Sequence, residues 1–352
     1  MASLTSNDVL QHLPLVLYLL AVAGLSINLF PSPRNKLSSL FILCALGSLG
    51  ATWTYMFKYM YQSYQDHKAA AGLLGTYSTT RWLGETSLFD EAWRYVCRTP
   101  ERWWISSQLC LFTVGVFTVF LFAEGSRHPA LRGNVTRFMI LGQIVAISFA
   151  SSLFLATLAN SQRSGSGSPS SFLKACIVLA LATVAIVPYT VEDKTFLPNL
   201  LIMHILITLP LFGISNALPT GPRTEQNRSF KGLYATIAIV SGLLHVINSA
   251  PALAAANYSL EAFGDQFVRT IYSYPAQSSI SWDVICTNGI WQLWSFIEIW
   301  RWRKQHSLGE TGKALLCVGF VPSLGSAVGI AAFLAIREDW LARQRRTGSK
   351  IE

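Results

Sequence analysis

The chain has 352 residues, 51% of them hydrophobic and 13% charged, with a mean hydropathy of +0.39. Soluble domains carry about 25% charged residues, so half that leaves too few charges to cover a water-facing surface and excludes a large soluble helical protein. The formal net charge of +9 comes from loop and tail residues such as Arg301, Arg303 and Lys304, then Arg343, Arg345 and Arg346; these read as membrane flanks facing anionic headgroups, and no basic stretch has the form of a nucleic-acid-binding motif.

A membrane span needs about 20 mostly apolar residues. Runs of that kind lie at 13–30, 37–60, 103–123, 138–159, 172–191, 197–217, 233–256, 280–300 and 314–336. They predict an all-α polytopic transmembrane bundle of eight or nine spans, a single membrane-embedded domain over 1–352. No Lys or Arg precedes the first run, while Arg34 and Lys36 follow it closely. That polarity is wrong for a cleaved signal peptide and places the end of the first helix in the cytosol. The 124–137 loop, with Arg127, Arg132 and Arg137, agrees with nine alternating spans; the basic loops at 218–232 and 301–313 do not. Either one segment fails to span or the orientation is reversed.

The longest connection, 61–102, is aromatic and charged, and its piece Phe89 to Val96 reads as an interfacial helix because Trp favours the headgroup level. SQRSGSGSPSS at 161–171 reads as a flexible linker without chemistry, and 337–352 as a polar basic tail. Sequons begin at Asn134, Asn227 and Asn257; alternating spans cannot put all three on one side. The six cysteines lie mostly inside apolar runs with no CxxC, which points to packing and not to zinc or disulfides. Internal repeats of the inverted-transporter kind are absent from the sequence.

Ionisable residues inside spans are costly and mark function. The eighth run carries Asp283, Thr287, Trp291, Trp294 and Glu298, spaced by 4, 4, 3 and 4. At about 100° per residue these share one helix face, with the two carboxyls about 22 Å apart. Glu124 ends the third run, His204 lies in the sixth, and His245 and Asn248 share a face of the seventh at i,i+3. For the histidines and Asn248 the simpler reading is interhelical hydrogen bonding; for Trp291 and Trp294 it is packing. Glu298 has Arg301 one turn on as a partner. A carboxyl in an apolar hollow acts as a general acid, and aromatic faces stabilise a cation. There is no DDxxD, NDxxDxxxD or DxDD for magnesium and diphosphate, no GxGxxG or P-loop, and no His cluster for haem or di-iron, so redox and ATP-driven roles lose support.

The stretches QSSISWDV (277–284) and LGQIVAISFASSLFLATL (141–158), the latter after an Arg-rich loop, resemble the fungal integral-membrane terpene cyclases of meroterpenoid biosynthesis, most closely the ascofuranone and ascochlorin type. The resemblance implies a cofactor-free, metal-free enzyme of the cyclase/isomerase or lyase class in the endoplasmic reticulum of a fungus. It implies protonation of a terminal epoxide or alkene on a lipophilic farnesylated aromatic, followed by cation cyclisation. By motif it makes Asp283 the acid. On the buried-carboxyl reading Glu298 or Glu124 positions substrate or takes the last proton, while Trp291, Trp294 and Thr287 line the pocket with His245, Asn248 and His204 as further contacts. The rivals are a transporter or exporter of a similar metabolite, a receptor or structural membrane protein, and a sterol-isomerase-like enzyme.

Overall fold

A computed structural model describes residues 6–72, 77–163, 167–216 and 223–347, and among these every regular element is helical. Helices α1 (Ser6–Leu29) and α2 (Lys36–Ala70) are joined at Asn35, whose side-chain oxygen accepts the Ser38 N–H at 2.8 Å and caps α2. α2 outlasts the run expected at 37–60 and carries a polar end to Ala70. Two short helices follow, α3 (Thr79–Glu85) and the amphipathic α4 (Leu88–Cys97).

Next comes a continuous buried rod: α5 (Pro100–Leu111), a π-helical segment Phe112–Phe117, and α6 (Thr118–Arg127). π-Helical segments often mark functional positions. Here the segment carries Gly115, where a Cβ would stand 2.6 Å from the Ile237 side chain. Only glycine lets the neighbouring helix approach that closely.

The single turn α7 (Pro129–Arg132) leads to α8 (Val135–Ile144) and α9 (Ile147–Ala159). The run expected as one span at 138–159 is therefore two helices, broken where Ala146 turns extended at φ −170°. Helices α10 (Ser171–Thr190), α11 (Phe196–Phe212), α12 (Arg223–Ala255), α13 (Leu260–Ile271) and α14 (Pro275–Trp302) follow. The chain ends in α15 (Leu308–Gly319), α16 (Val321–Leu324) and α17 (Ser326–Thr347). The run expected at 314–336 is likewise broken, at Gly325 with φ +77°. The expected tail from 337 begins as buried helix, because α17 continues to Thr347; 348–352 lie outside the described residues.

Among the described residues, five helices are long and apolar enough to cross a membrane, at His12–Leu29, Lys36–Ala70, Pro100–Arg127, Ser171–Thr190 and Phe230–Ala255. The chain is thus an all-helical membrane protein by architecture. Helix length alone does not reach eight or nine spans, chiefly because two expected runs break in the middle. The rod is the centre of the bundle. α12 and α14 pack on α5; α10, α12 and α17 pack on the π-helical segment; α11 packs on α6. α14 also lies along α2 and α9. Trp291 of α14 fills the middle, edge-on to Phe112 at 5.2 Å and Phe120 at 4.9 Å, the geometry that aromatic quadrupoles favour.

Candidate active site

The polar stripe of α14 faces inward. Asp283, Thr287, Trp291, Trp294 and Glu298 are all buried, at 5%, 1%, 0%, 4% and 9% exposure. Their helical spacing puts them on one face, and that face meets the central rod. Trp291 and Trp294 touch each other at 5.4 Å, and Trp294 meets Phe120 at 5.1 Å and Phe333 at 6.1 Å. The indoles lie within a close-packed aromatic column.

At one end of the stripe, the two Asp283 carboxylate oxygens accept backbone N–H groups from Ile147 (2.9 Å) and Ser148 (2.8 Å). These are the first residues of α9. The first turn of a helix leaves unpaired donors and a partial positive charge, so Asp283 works as a cap supplied from another helix. The Ser148 and Thr287 hydroxyls lie beside the same carboxyl. The sequence reading assigns Asp283 a proton-donor role in an indole-walled hollow. In the structure both of its oxygens are engaged as acceptors for a helix end.

At the other end, Glu298 joins a buried ionic cluster that also contains Glu124. Arg337 of α17 bridges the two, with Nη1 2.8 Å from Glu124 Oε1 and Nε 3.1 Å from Glu298 Oε2. Arg127 reaches Glu124 at 3.0 Å and holds Glu338 through both its Nη atoms, at 2.8 and 2.5 Å. Arg163 pairs with Glu124 at 3.2 Å, so the expected linker contributes a cation. Arg301 stands 3.5 Å from Glu298 Oε1. Glu124 and Arg127 are fully buried, and Arg337 and Glu338 are 5% and 1% exposed. Burying one such charge alone costs several kcal/mol, roughly; here each has a hydrogen-bonded partner of opposite sign. The Arg337 guanidinium also lies over Trp294 at 5.3 Å and Phe120 at 5.9 Å. Those rings therefore already face a delocalised cation.

His128, just past the rod, places Nδ1 3.0 Å from the Glu124 carbonyl and 3.4 Å from its carboxylate. Burial holds its pKa below the ordinary histidine value, with the charges of Arg163 and Arg337 acting in the same direction and Glu124 opposing.

The remaining expected contacts lie elsewhere. His204 bonds the Leu200 carbonyl (2.7 Å) and meets Phe89 and Trp93 of α4. His245 is buried against Trp104 of α5, 5.8 Å between ring centres, and Asn248 is half-buried one turn along. The sequence reading missed Arg337 and Glu338 because they follow the last apolar run and resemble the start of a tail. It also missed Phe120 and the pairing roles of Arg127 and Arg163. The one signal available was the i,i+3 spacing of Glu124 and Arg127. Asn227 falls among side chains outside the described set, whereas the Asn134 amide oxygen accepts from Arg137 (3.2 Å). Among the described residues no group of three or more His, Cys, Asp or Glu is arranged to hold a metal.

Residues 233–339 match the model of a family described as "Protein of unknown function DUF2834". The matched part runs from the body of α12 to Asp339 and so includes Asp283, Glu298, Arg337 and Glu338, but not Glu124 or Arg127. Comparison with curated proteins and with solved structures gave no match.

Proposed function

We propose that this chain is a membrane-embedded, cofactor-independent terpene cyclase acting on a farnesylated aromatic, in the endoplasmic reticulum of a fungus. One observation carries the reading: a buried carboxylate, Glu298, shares the Arg337 guanidinium with Glu124 directly against the faces of Trp294 and Phe120. An acid beside aromatic faces that tolerate a cation is the equipment an acid-triggered cyclisation needs.

Glu298 is the proton donor in this scheme. Its Oε1 is the loosely held oxygen, with Arg301 at 3.5 Å as its one ion-pair partner among the described residues, and Arg301 is 46% exposed; water can deliver a proton there. The protonated carboxyl gives its proton to the epoxide oxygen (or to the terminal alkene carbon) and the C–O bond breaks towards the tertiary carbon. The neighbouring alkene then supplies its electron pair to close the ring. A proton lost to a carboxylate, Glu298 or Glu124, ends the reaction. Substrate and product are isomers, so no co-reactant is consumed. Trp294 and Phe120 stabilise the intermediate cation, and exclusion of water prevents its capture. In this scheme Asp283 fixes the end of α9.

The test is expression in a yeast that lacks such pathways, feeding farnesyl-aromatic epoxides to its microsomes, and mass spectrometry of the products. A cyclised isomer of unchanged mass is expected. Uptake without conversion would instead favour the transporter reading. Membrane-inserted protein that converts nothing, or full activity in Glu298→Gln, overturns the proposal.

A further inference from the structure

The two broken helical runs share a geometry. α8 begins against the end of α6, where the Val135 side chain occupies the space a Cβ on Gly125 would need (2.6 Å). α9 ends at Asn160, whose amide donates to the Ser32 carbonyl (2.9 Å) and to the Ser38 hydroxyl (3.0 Å) at the start of α2. The Arg163–Glu124 pair ties those two places together. Entry and exit of this hairpin are thus on one side of the bundle. Its tip is deep inside. The Ile144 carbonyl accepts from Tyr18, the Val145 carbonyl accepts from Trp53, and the Gln143 amide donates to the His204 carbonyl (3.3 Å), all from the middles of other helices.

α15 and α17 repeat the pattern. His306, at the entry, stacks on Trp340 at 4.7 Å, and Glu310 pairs with Arg343 at 2.5 Å. The tip at Gly325 and Ser326 reaches α14, where the Asn288 side-chain oxygen accepts the Ser326 N–H at 3.3 Å and also its hydroxyl. α8 and α15 have 10 and 12 residues. At 1.5 Å per residue these are about 15 and 18 Å long, against a hydrocarbon core of about 30 Å.

We infer that α8–α9 and α15–α17 are re-entrant hairpins, which enter from one face, turn inside the bilayer and return, pinned at their tips to α14 by Asp283 and Asn288. Seven crossings remain: α1, α2, the α5–α6 rod, α10, α11, α12 and α14. Residues 283 and 288 are five apart, about 140° around the helix, so α14 is gripped from two sides. Backbone freed in a bilayer must be satisfied by protein. The helix N-termini that start α9 and α17 receive their acceptors from these two side chains.

This topology also removes the charge conflict left by alternating spans. Of the 27 Lys and Arg, Lys350 lies outside the described residues; of the other 26, 18 then fall on the side of the ionic cluster and 8 on the side of α3, α4 and α13. The 124–137, 167–171, 223–232 and 301–313 segments and Arg163 all come to the basic side, which is cytosolic by the positive-inside rule.

Epitopes placed singly at 128–134, 161–171, 303–307 and the C-terminal end, read by protease protection in sealed microsomes, test the inference. All four are expected to be cytosolic, with epitopes at 78 and at 257–259 protected. Opposite sides for 128–134 and 161–171, or for 303–307 and the C-terminal end, overturn it. Where an inserted epitope blocks folding, trypsin shaving of the unmodified protein gives the same assignment from cleavage at Arg132, Arg303 and Lys304 against Arg81 and Lys194. The pins have their own readout. Asp283→Ala should speed amide exchange at 147–150 at least tenfold and leave 326–329 unchanged, and Asn288→Ala should do the reverse. A uniform increase in both variants overturns the pinning.

Discussion

The two ends of the polar stripe on α14 carry the same functional group in opposite company. Asp283 meets backbone N–H groups, whereas Glu298 meets guanidinium groups and aromatic faces. Helical spacing shows that both lie on one face, and both are buried there. It says nothing of what stands opposite, and that decides the job. A carboxylate saturated by a helix end is a building element. A carboxylate that shares a cation with another carboxylate beside aromatic faces is the group to which the proposed scheme gives the proton transfer.

The largest effect should come from the buried, doubly hydrogen-bonded Arg127–Glu338 pair. Glu338→Ala leaves the fully buried Arg127 without its bidentate partner, which costs about 3–5 kcal/mol. We expect loss of folded protein, read as a collapsed yield of monodisperse material in detergent. A normal yield with an unchanged melting temperature would show that this end of the molecule is not held by the cluster. Next comes Glu298→Gln, which keeps the shape and removes the acid. Cyclisation should fall at least about a hundredfold, the low end of a general acid's contribution, while the Arg337–Glu124 bridge preserves the fold. Asp283→Asn sharpens the contrast. It should lower stability by about 1–3 kcal/mol by leaving a buried donor poorly matched, yet cost less than tenfold in rate per folded molecule. If Asp283→Asn abolishes turnover at undiminished stability while Glu298→Gln does not, the roles of the two ends are exchanged.

What the sequence makes legible follows from the range of each signal. Composition and apolar run length report burial in a membrane, so the helical class and the inward stripe of α14 can be read directly. The breaks at Ala146 and Gly325 cannot. Ala146 lies in QIVAIS with neither glycine nor proline to mark it, and its extended backbone is stabilised by Asp283, distant in sequence. Gly325 sits in a run that still looks apolar. The cluster fails for a related reason: Arg337 and Glu338 read as tail residues until α17 brings them beside Glu124 and Arg127. Long-range pairing of charges leaves no periodic trace in a single sequence.

Trp294 tests the aromatic half of the site. Replacement by Leu keeps apolar volume but removes the ring face over which Arg337 lies. A cation–π contact is worth about 0.5–2 kcal/mol, so the rate should fall about two- to thirtyfold, with Trp294→Phe intermediate. An equal rate in Leu and Phe variants would mean that packing alone is needed there.

The smallest effect concerns pH at the cluster's edge. Burial first, then the charges of Arg163 and Arg337, hold the His128 pKa below its unfolded value of about 6.5. The folded state therefore prefers the neutral ring and binds fewer protons than the unfolded chain. By linkage the stabilisation from His128 is fully present above about pH 6.5 and is lost as pH falls from there towards the folded value. His128→Gln removes the titrating group, so it should gain on the wild type as the solution is acidified. The measurement is the melting temperature of both proteins in detergent between about pH 7.5 and 5.5. The difference between them isolates His128 from the other histidines. A difference that stays constant would mean that attraction to Glu124 cancels burial; a wild type that gains on acidification would mean that the attraction outweighs it, and the ring would then belong to the cluster as a further cation.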